Sequence, residues 1–249
     1  MRVFSVVAVA AGLSCSTPAL AQTASGSLSR GFVAINGIYQ LTSNDFADSG
    51  VKREHAENGS VQAAYLVQSG QSLEVSGGAR VWRKLSMGVG FSRFSTATPS
   101  AVSAAIPHPF FFNRLRSVAG QADGLKREEL VVHLQAAGVF PVGRRLNVTV
   151  FGGPAFFKVT QGVVTDVSYR DSYPFDEASF GGAITTTADV SKVGFGGGGD
   201  VAFYFTRFVG IGGTFQFAGT TVRLPAAGGA TQSVKVGGLR TGAGLRLRL

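Results

Sequence analysis

The chain of 249 residues contains one cysteine, Cys15, and no apolar run approaching the ~20 residues that a membrane-spanning helix requires. The first shortage excludes a fold stapled by internal disulfides. The second excludes a helical membrane anchor. Charge is scarce as well, at 15% of residues against about 25% in an ordinary soluble domain. With 45% hydrophobic residues and a mean hydropathy of +0.22, that scarcity excludes a disordered chain. Glycine, by contrast, is abundant at 35 residues. Each helix-interior glycine costs about 1 kcal/mol relative to alanine, which argues against a helical fold. The chain is therefore apolar on average and nowhere continuously apolar.

The longest apolar stretch, Val6–Leu13, lies at the N-terminus. Residues 1–21 have the three parts of a secretory signal: Arg2, the apolar segment Val3–Leu13, and Ala19-Leu20-Ala21 before Gln22. A lipoprotein signal at Cys15 fits poorly, because Gly12 stands where leucine is wanted. Cleavage after Ala21 is expected to leave a barrel-sized domain, 22–249, with no cysteine and a formal charge lowered from +9 to +8 by loss of Arg2.

Downstream the pattern has period two, the mark of a strand with two different environments. In the segment Leu146–Phe156, Leu146, Val148, Val150, Gly152, Pro154 and Phe156 share one face. Asn147, Thr149, Gly153 and Ala155 occupy the other. Short basic turns at Arg83-Lys84, Pro141–Arg145 and Thr206-Arg207 each precede a similar strand, starting at Leu85, Leu146 and Phe208. This spacing predicts eight strands, near 31–42, 71–83, 85–97, 126–140, 146–161, 190–205, 208–223 and 232–249. Short turns fall at one end and longer loops at the other, as in outer-membrane barrels. An even strand count puts both termini at the short-turn end.

In a barrel the apolar faces, such as Leu85/Met87/Val89/Phe91 and Val209/Ile211/Phe215/Phe217, turn outward to lipid. In a soluble sandwich or lipocalin-like barrel they would turn inward. The opposite face carries Glu74, Arg80, Glu129, His133, Asp200, Arg240 and Arg246. Eight strands leave an interior just wide enough for side chains to fill. A largely plugged lumen with an acidic–basic network is therefore expected, any charge at a wet rim standing outside it. His133 reads as a satisfied lumen histidine, since no second histidine lies at metal-ligand spacing.

These features resemble the small eight-stranded outer-membrane β-barrels of the OmpA transmembrane-domain, OmpX and OmpW type. The ending Gly242-Ala243-Gly244-Leu245-Arg246-Leu247-Arg248-Leu249 looks like the strand signal read by the barrel-assembly machinery. It departs by ending in leucine where an aromatic residue is usual. The resemblance implies an all-β, antiparallel up-and-down transmembrane barrel with short periplasmic turns and long extracellular loops. It implies outer-membrane residence and contact with outer-membrane lipid and lipopolysaccharide. With no periplasmic cell-wall-binding domain after the last strand, an anchoring role is not implied.

Candidate contact residues lie in the second long loop, 98–125: Pro107, His108, Phe110, Phe111, Phe112 and Arg114. Three successive phenylalanines suit a contact surface for a partner, lipopolysaccharide or an apolar ligand, or else a packed cap with Tyr173-Pro174-Phe175-Asp176 as its counterpart. The basic excess forms no single patch, so nucleic acid is not an expected partner. It reads instead as two belts, with Arg83, Lys84, Arg144, Arg145 and Arg207 in the short turns and Lys126, Arg127, Lys158, Lys192 and Lys235 near the long loops. Of the three histidines, none has a diagnostic catalytic spacing to a nucleophile or base. Gly196–Gly199 lies within a strand and reads as close strand approach, not as a phosphate loop. The expectation is a monomeric barrel without cofactor or metal, serving a structural or surface-interaction role. The alternatives are a narrow channel for small or apolar solutes and, third, a surface enzyme acting through His55 or His108.

Overall fold

The computed structural model describes residues 30–226 and 229–249; the expected signal at 1–21 lies outside them. Its ten regular elements are all strands: β1 (Gly31–Gln40), β2 (Phe46–Glu54), β3 (Glu57–Tyr65), β4 (Gly70–Trp82), β5 (Leu85–Pro107), β6 (Leu115–Val142), β7 (Leu146–Ser172), β8 (Glu177–Tyr204), β9 (Val209–Pro225) and β10 (Thr231–Arg248). Eight of them close an antiparallel ring in the order β1-β4-β5-β6-β7-β8-β9-β10 and back to β1. The closing seam runs from Phe32 opposite Arg248 to Gln40 opposite Arg240. Closure leaves this part of the sheet without an edge, which is what allows strands to cross lipid.

Period two decides which way the wall faces. On β7, Asn147, Ala155, Phe157, Val159 and Gln161 are buried, while Val150 and Phe156 between them are exposed. Leu73, Met87, Phe91, Phe195, Phe215, Phe217 and Leu245 are likewise exposed on their strands. A continuous band of this kind would be untenable in water and is what hydrocarbon requires. The soluble-barrel alternative fails here, because a whole row of large apolar side chains on every ring strand points out. Glycine lets neighbouring strands close up: a Cβ on Gly244 would lie 1.8 Å from the Ile35 carbonyl oxygen. One on Gly198, within the four-glycine run, would lie 2.4 Å from that of Phe215.

The structure corrects the extent of the loops. The segment expected as a loop over 98–125 is mostly strand, leaving only 108–114 between β5 and β6. Segment 162–189 likewise becomes a hairpin turning at 173–176, and the first long connection contains the β2–β3 hairpin. The period-two signal persists there, with Thr98, Ser100, Val102, Ala104 and Ile106 buried in turn. It is written in small and hydroxylated side chains, so the contrast between faces is weak. Beyond Phe91, β5 continues for about 50 Å along the strand at ~3.3 Å per residue.

These extensions form an outer head. Its first layer is β2-β3-β5-β6, with Ser60–Tyr65 of β3 paired to Ser100–Ala105 of β5. The upper β7–β8 hairpin packs against it as the second. Between them lies a core that includes Val61, Tyr65, Val102, Ile106, Val118, Val163, Val164 and Val167. Tyr65 stacks on Phe46 with ring centroids 4.3 Å apart. The head therefore has its own hydrophobic core beyond the membrane band, as a small β-sandwich does.

Candidate functional site: the lumen network and the outer head

Inward positions of the ring place polar groups from five strands in one chain of contacts. Arg246 on β10 donates from Nε to Asp200 on β8 at 3.1 and 3.2 Å, and its Nη2 pairs with the same carboxylate. Its Nη1 donates to Asn36 Oδ1 on β1 at 2.5 Å. Asn36 donates in turn to Glu74 on β4 at 3.4 Å, and Gln216 on β9 donates to the other Glu74 oxygen at 2.5 Å. Beside this chain lies a cavity of about 90 Å³ whose walls include Arg80, Asn147, Asp200 and Arg246.

A second group lies nearer the head. Glu129 Oε1 accepts from Arg127 Nε at 2.9 Å and Nη2 at 2.7 Å. Its other oxygen is 3.7 Å from Arg240 Nη2, and Arg240 Nη1 donates to Ser92 at 3.1 Å. Arg127 reaches on to Gln161 at 3.1 Å. All three charged side chains are at most 1% exposed. Arg240 Nε and Nη2, Glu129 Oε2 and His133 Nε2 are buried without a hydrogen-bond partner in the protein. Such polar atoms are suited to ordered water. Around this group the lumen is apolar, with Val131, Phe157, Val159, Val222, Leu224, Val234 and Val236 packed together; on β6 and β7, Val131 and Phe157 lie on the short-turn side of Arg127 and Gln161.

The structure thus brings together Glu74, Asp200 and Arg246 in one group and Glu129 and Arg240 in the other. His133 is buried among them, against the Gly196 backbone, and makes no hydrogen bond through Nε2. Arg80 faces the cavity half-buried and forms no ion pair among the described residues. Arg127 is a correction: expected in the outer basic belt, it is fully buried and points inward. Lys126 and Arg127 alternate in direction like any strand neighbours, so only one of them can belong to the belt. Asn36, Ser92, Gln161 and Gln216 escaped the sequence reading. Their inward parity was available as a signal, but an uncharged side chain does not stand out in a lumen-facing row.

In the head, Tyr65 donates its hydroxyl to Asp48 at 3.2 Å and accepts from the Val164 amide at 2.8 Å. Burial pushes this hydroxyl well above the usual tyrosine range, and the neighbouring Asp48 carboxylate pushes it further. Tyr169, also raised by burial, donates to Glu54 at 2.7 Å. Lys52 bridges Asp166 at 3.1 Å and Glu54 at 3.6 Å, tying β2 to β7.

At the far end the 108–114 and 173–176 turns meet. His108 is buried, and its Nδ1 accepts the Phe110 and Phe111 amides at 3.1 and 3.2 Å. An accepting Nδ1 puts the ring proton on Nε2, which faces Asp176 at 3.7 Å. Arg114 joins Asp176 at 3.0 Å, and Phe110 meets Phe175 edge-on at 5.3 Å. The Asn113 amide donates to Glu57 at 2.6 Å, linking the β2–β3 turn to the same place. Pro107 is buried at the end of β5. Phe110, Phe111 and Phe112 nevertheless remain 69%, 57% and 76% exposed. His55 lies apart in the β2–β3 turn at φ 51°, and His108 is held by backbone amides on Nδ1 and faces Asp176 through Nε2. Among the described residues no three histidine, cysteine or carboxylate side chains are grouped to hold a metal.

Sequence comparison finds no matching protein-family model and no significantly similar curated protein. Comparison of folds finds outer-membrane barrels. The outer membrane protein OprG from Pseudomonas aeruginosa is 11% identical, with 90% of this chain and 98% of that one aligned at a TM-score of 0.50. Neisserial surface protein A is 11% identical over 88% and 97% of the two chains, at a TM-score of 0.46. The outer membrane protease OmpT from Escherichia coli is 8% identical over 92% and 99%, at a TM-score of 0.45. The chain therefore has the fold of the small outer-membrane β-barrels.

Proposed function

We propose that this chain is a bacterial outer-membrane protein, exported through a cleaved signal at 1–21, that acts through its outer head and conducts no solute. The observation that carries this reading is the exposed aromatic end of the head. Phe110, Phe111 and Phe112 are held outward by the His108, Arg114 and Asp176 contacts, far beyond the membrane band. A rigid apolar tip on a packed support is the anatomy of an interaction surface. The role is non-catalytic, and the barrel acts as a monomer inserted by the assembly machinery. Vesicles carrying the refolded protein should be retained on an octyl-coated sensor surface. A triple variant, Phe110→Ser with Phe111→Ser and Phe112→Ser, should lose most of that retention while keeping its heat-modifiable gel mobility. Equal retention with an intact barrel would sink the reading.

A second reading, a narrow water or solute path, is favoured by the 90 Å³ cavity and the unpartnered atoms of Arg240, Glu129 and His133. Against it stands the apolar layer from Val131 to Val236, which such a path would have to part.

A further inference from the structure

The two ends of the barrel treat their cations differently. Toward the head, several basic side chains meet carboxylates, although Lys158, Lys192 and Lys235 form no ion pair among the described residues: Arg93 and Lys126 share Glu128 at 3.1 and 3.0 Å, Arg114 meets Asp176, and Arg116 meets Asp171 at 2.5 Å. At the short-turn end, Arg83, Lys84, Arg144, Arg145, Arg207 and Arg248 form no ion pair among the described residues. No aspartate or glutamate occurs in the turn segments 80–86, 140–147 and 204–210. The nearest acidic side chain toward that end, Asp200, is already taken by Arg246 inside the lumen.

Aromatic rings hold several of these cations at the wall. Arg83 stands over Trp82 and Lys84 over Phe140, both 5.9 Å from the ring centre, and Arg207 over Phe208 at 5.6 Å. Trp82, Phe140 and Phe208 are exposed on the lipid-facing side. Rings in this position lie at headgroup level, and their cations then meet headgroup phosphate. Trp82, Arg83, Lys84, Leu85 and Gly138 also line an open groove of about 420 Å³ on that wall. Its apolar part is formed by Trp82, Leu85 and Gly138, with the Phe140 ring close over the glycine, and Arg83 and Lys84 supply its cations. An acyl chain fits the first part and a phosphate the second.

We propose that the short-turn end of this barrel selects anionic phospholipid of the periplasmic leaflet, with the Trp82–Leu85 groove as its principal site. A soluble acidic partner would neutralise the same cations, but it would make no use of an apolar groove opening onto the hydrocarbon band.

Trp82 is the only tryptophan in the chain, so its fluorescence reports the groove directly. The full chain refolded in phosphatidylethanolamine vesicles would receive brominated phosphatidylglycerol or, separately, brominated phosphatidylcholine at the same mole fraction. Brominated phosphatidylglycerol should quench Trp82 well beyond its share of the bilayer. Arg83→Gln with Lys84→Gln should lower that preference by about fivefold for each cation removed. Lys158→Gln with Lys192→Gln, at the other end of the wall, should leave it unchanged. Raising salt toward 1 M should weaken it in the wild type without any substitution, which keeps the test open if the double variant folds poorly. Equal quenching by the two brominated lipids would overturn the proposal. So would a preference that survives in a folded Arg83→Gln/Lys84→Gln protein. A Trp82 emission shift caused by soluble polyglutamate, with no preference between lipids, would overturn it in favour of a soluble partner.

Discussion

Replacing Glu129 by glutamine tests how the lumen is held. The carboxylate lies between two arginines, 2.7 Å from Arg127 Nη2 and 3.7 Å from Arg240 Nη2, with all three side chains at most 1% exposed. Glutamine keeps the shape and one accepting oxygen but removes the charge, leaving two buried guanidinium groups uncompensated. Breaking a buried pair in this way costs about 3–5 kcal/mol, most of it the penalty of the stranded charge. Asp200→Asn is the internal comparison. It also strips an arginine of its partner, but beside the 90 Å³ cavity, where Arg246 keeps Asn36 and water can reach it. A cost of about 1–2 kcal/mol is expected there. Both values can be read from urea unfolding in phosphatidylcholine vesicles, followed by Trp82 fluorescence and gel mobility. A Glu129→Gln cost below about 1 kcal/mol, or one smaller than that of Asp200→Asn, would refute the reasoning.

Further expectations concern the head. Tyr65→Phe leaves the Val164 amide without its partner and should loosen the head by about 1–3 kcal/mol, seen as faster amide exchange in β3 and upper β7 with the barrel unchanged. Because burial raises the Tyr65 and Tyr169 hydroxyls in the folded state, their contribution is fully present below the ordinary tyrosine pKa of about 10. It is lost as pH rises through the raised values, so tyrosinate absorbance should show two of the five tyrosines ionising only as the head opens. Ala56 occupies φ 65° in the β2–β3 turn, and Ala56→Gly should relieve about 1 kcal/mol of strain and slow proteolysis of that hairpin. Phe112→Cys should react with an impermeant maleimide on intact cells, and Arg144→Cys only after the outer membrane is opened; the reverse pattern would invert the orientation.

The barrel was legible because large side chains alternate so strictly across its membrane strands, as Leu146 to Phe156 do. The head was not, although it obeys the same period. Thr98, Ser100 and Ala104 face a core, but their neighbours Ala97, Ser103 and Ala105 are nearly the same size, so the two faces look alike in sequence. Its core also depends on pairing β3 with β5 and on packing β7–β8 over them, contacts between segments about 40 to 100 residues apart. The charged lumen groups could be assigned to a face, but their partners could not. Register sets Asn36 opposite Glu74, while Arg246, opposite Ala34, reaches Asn36 diagonally, and nothing in the spacing of three separate strands declares that meeting. Arg127 shows the same limit at its sharpest: one step along β6 separates a solvated belt from the centre of the lumen.

Conductance across a planar lipid bilayer tests the central claim most directly. With the Arg240–Glu129–Arg127 group and the apolar layer of Phe157, Val222 and Leu224 both filling the lumen, the refolded protein should give no stepwise currents at moderate voltage. Gly substitutions at Phe157 and Leu224, which open that layer, should be needed before any appear. Reproducible stepwise currents from the wild-type chain would contradict the account and make it a channel.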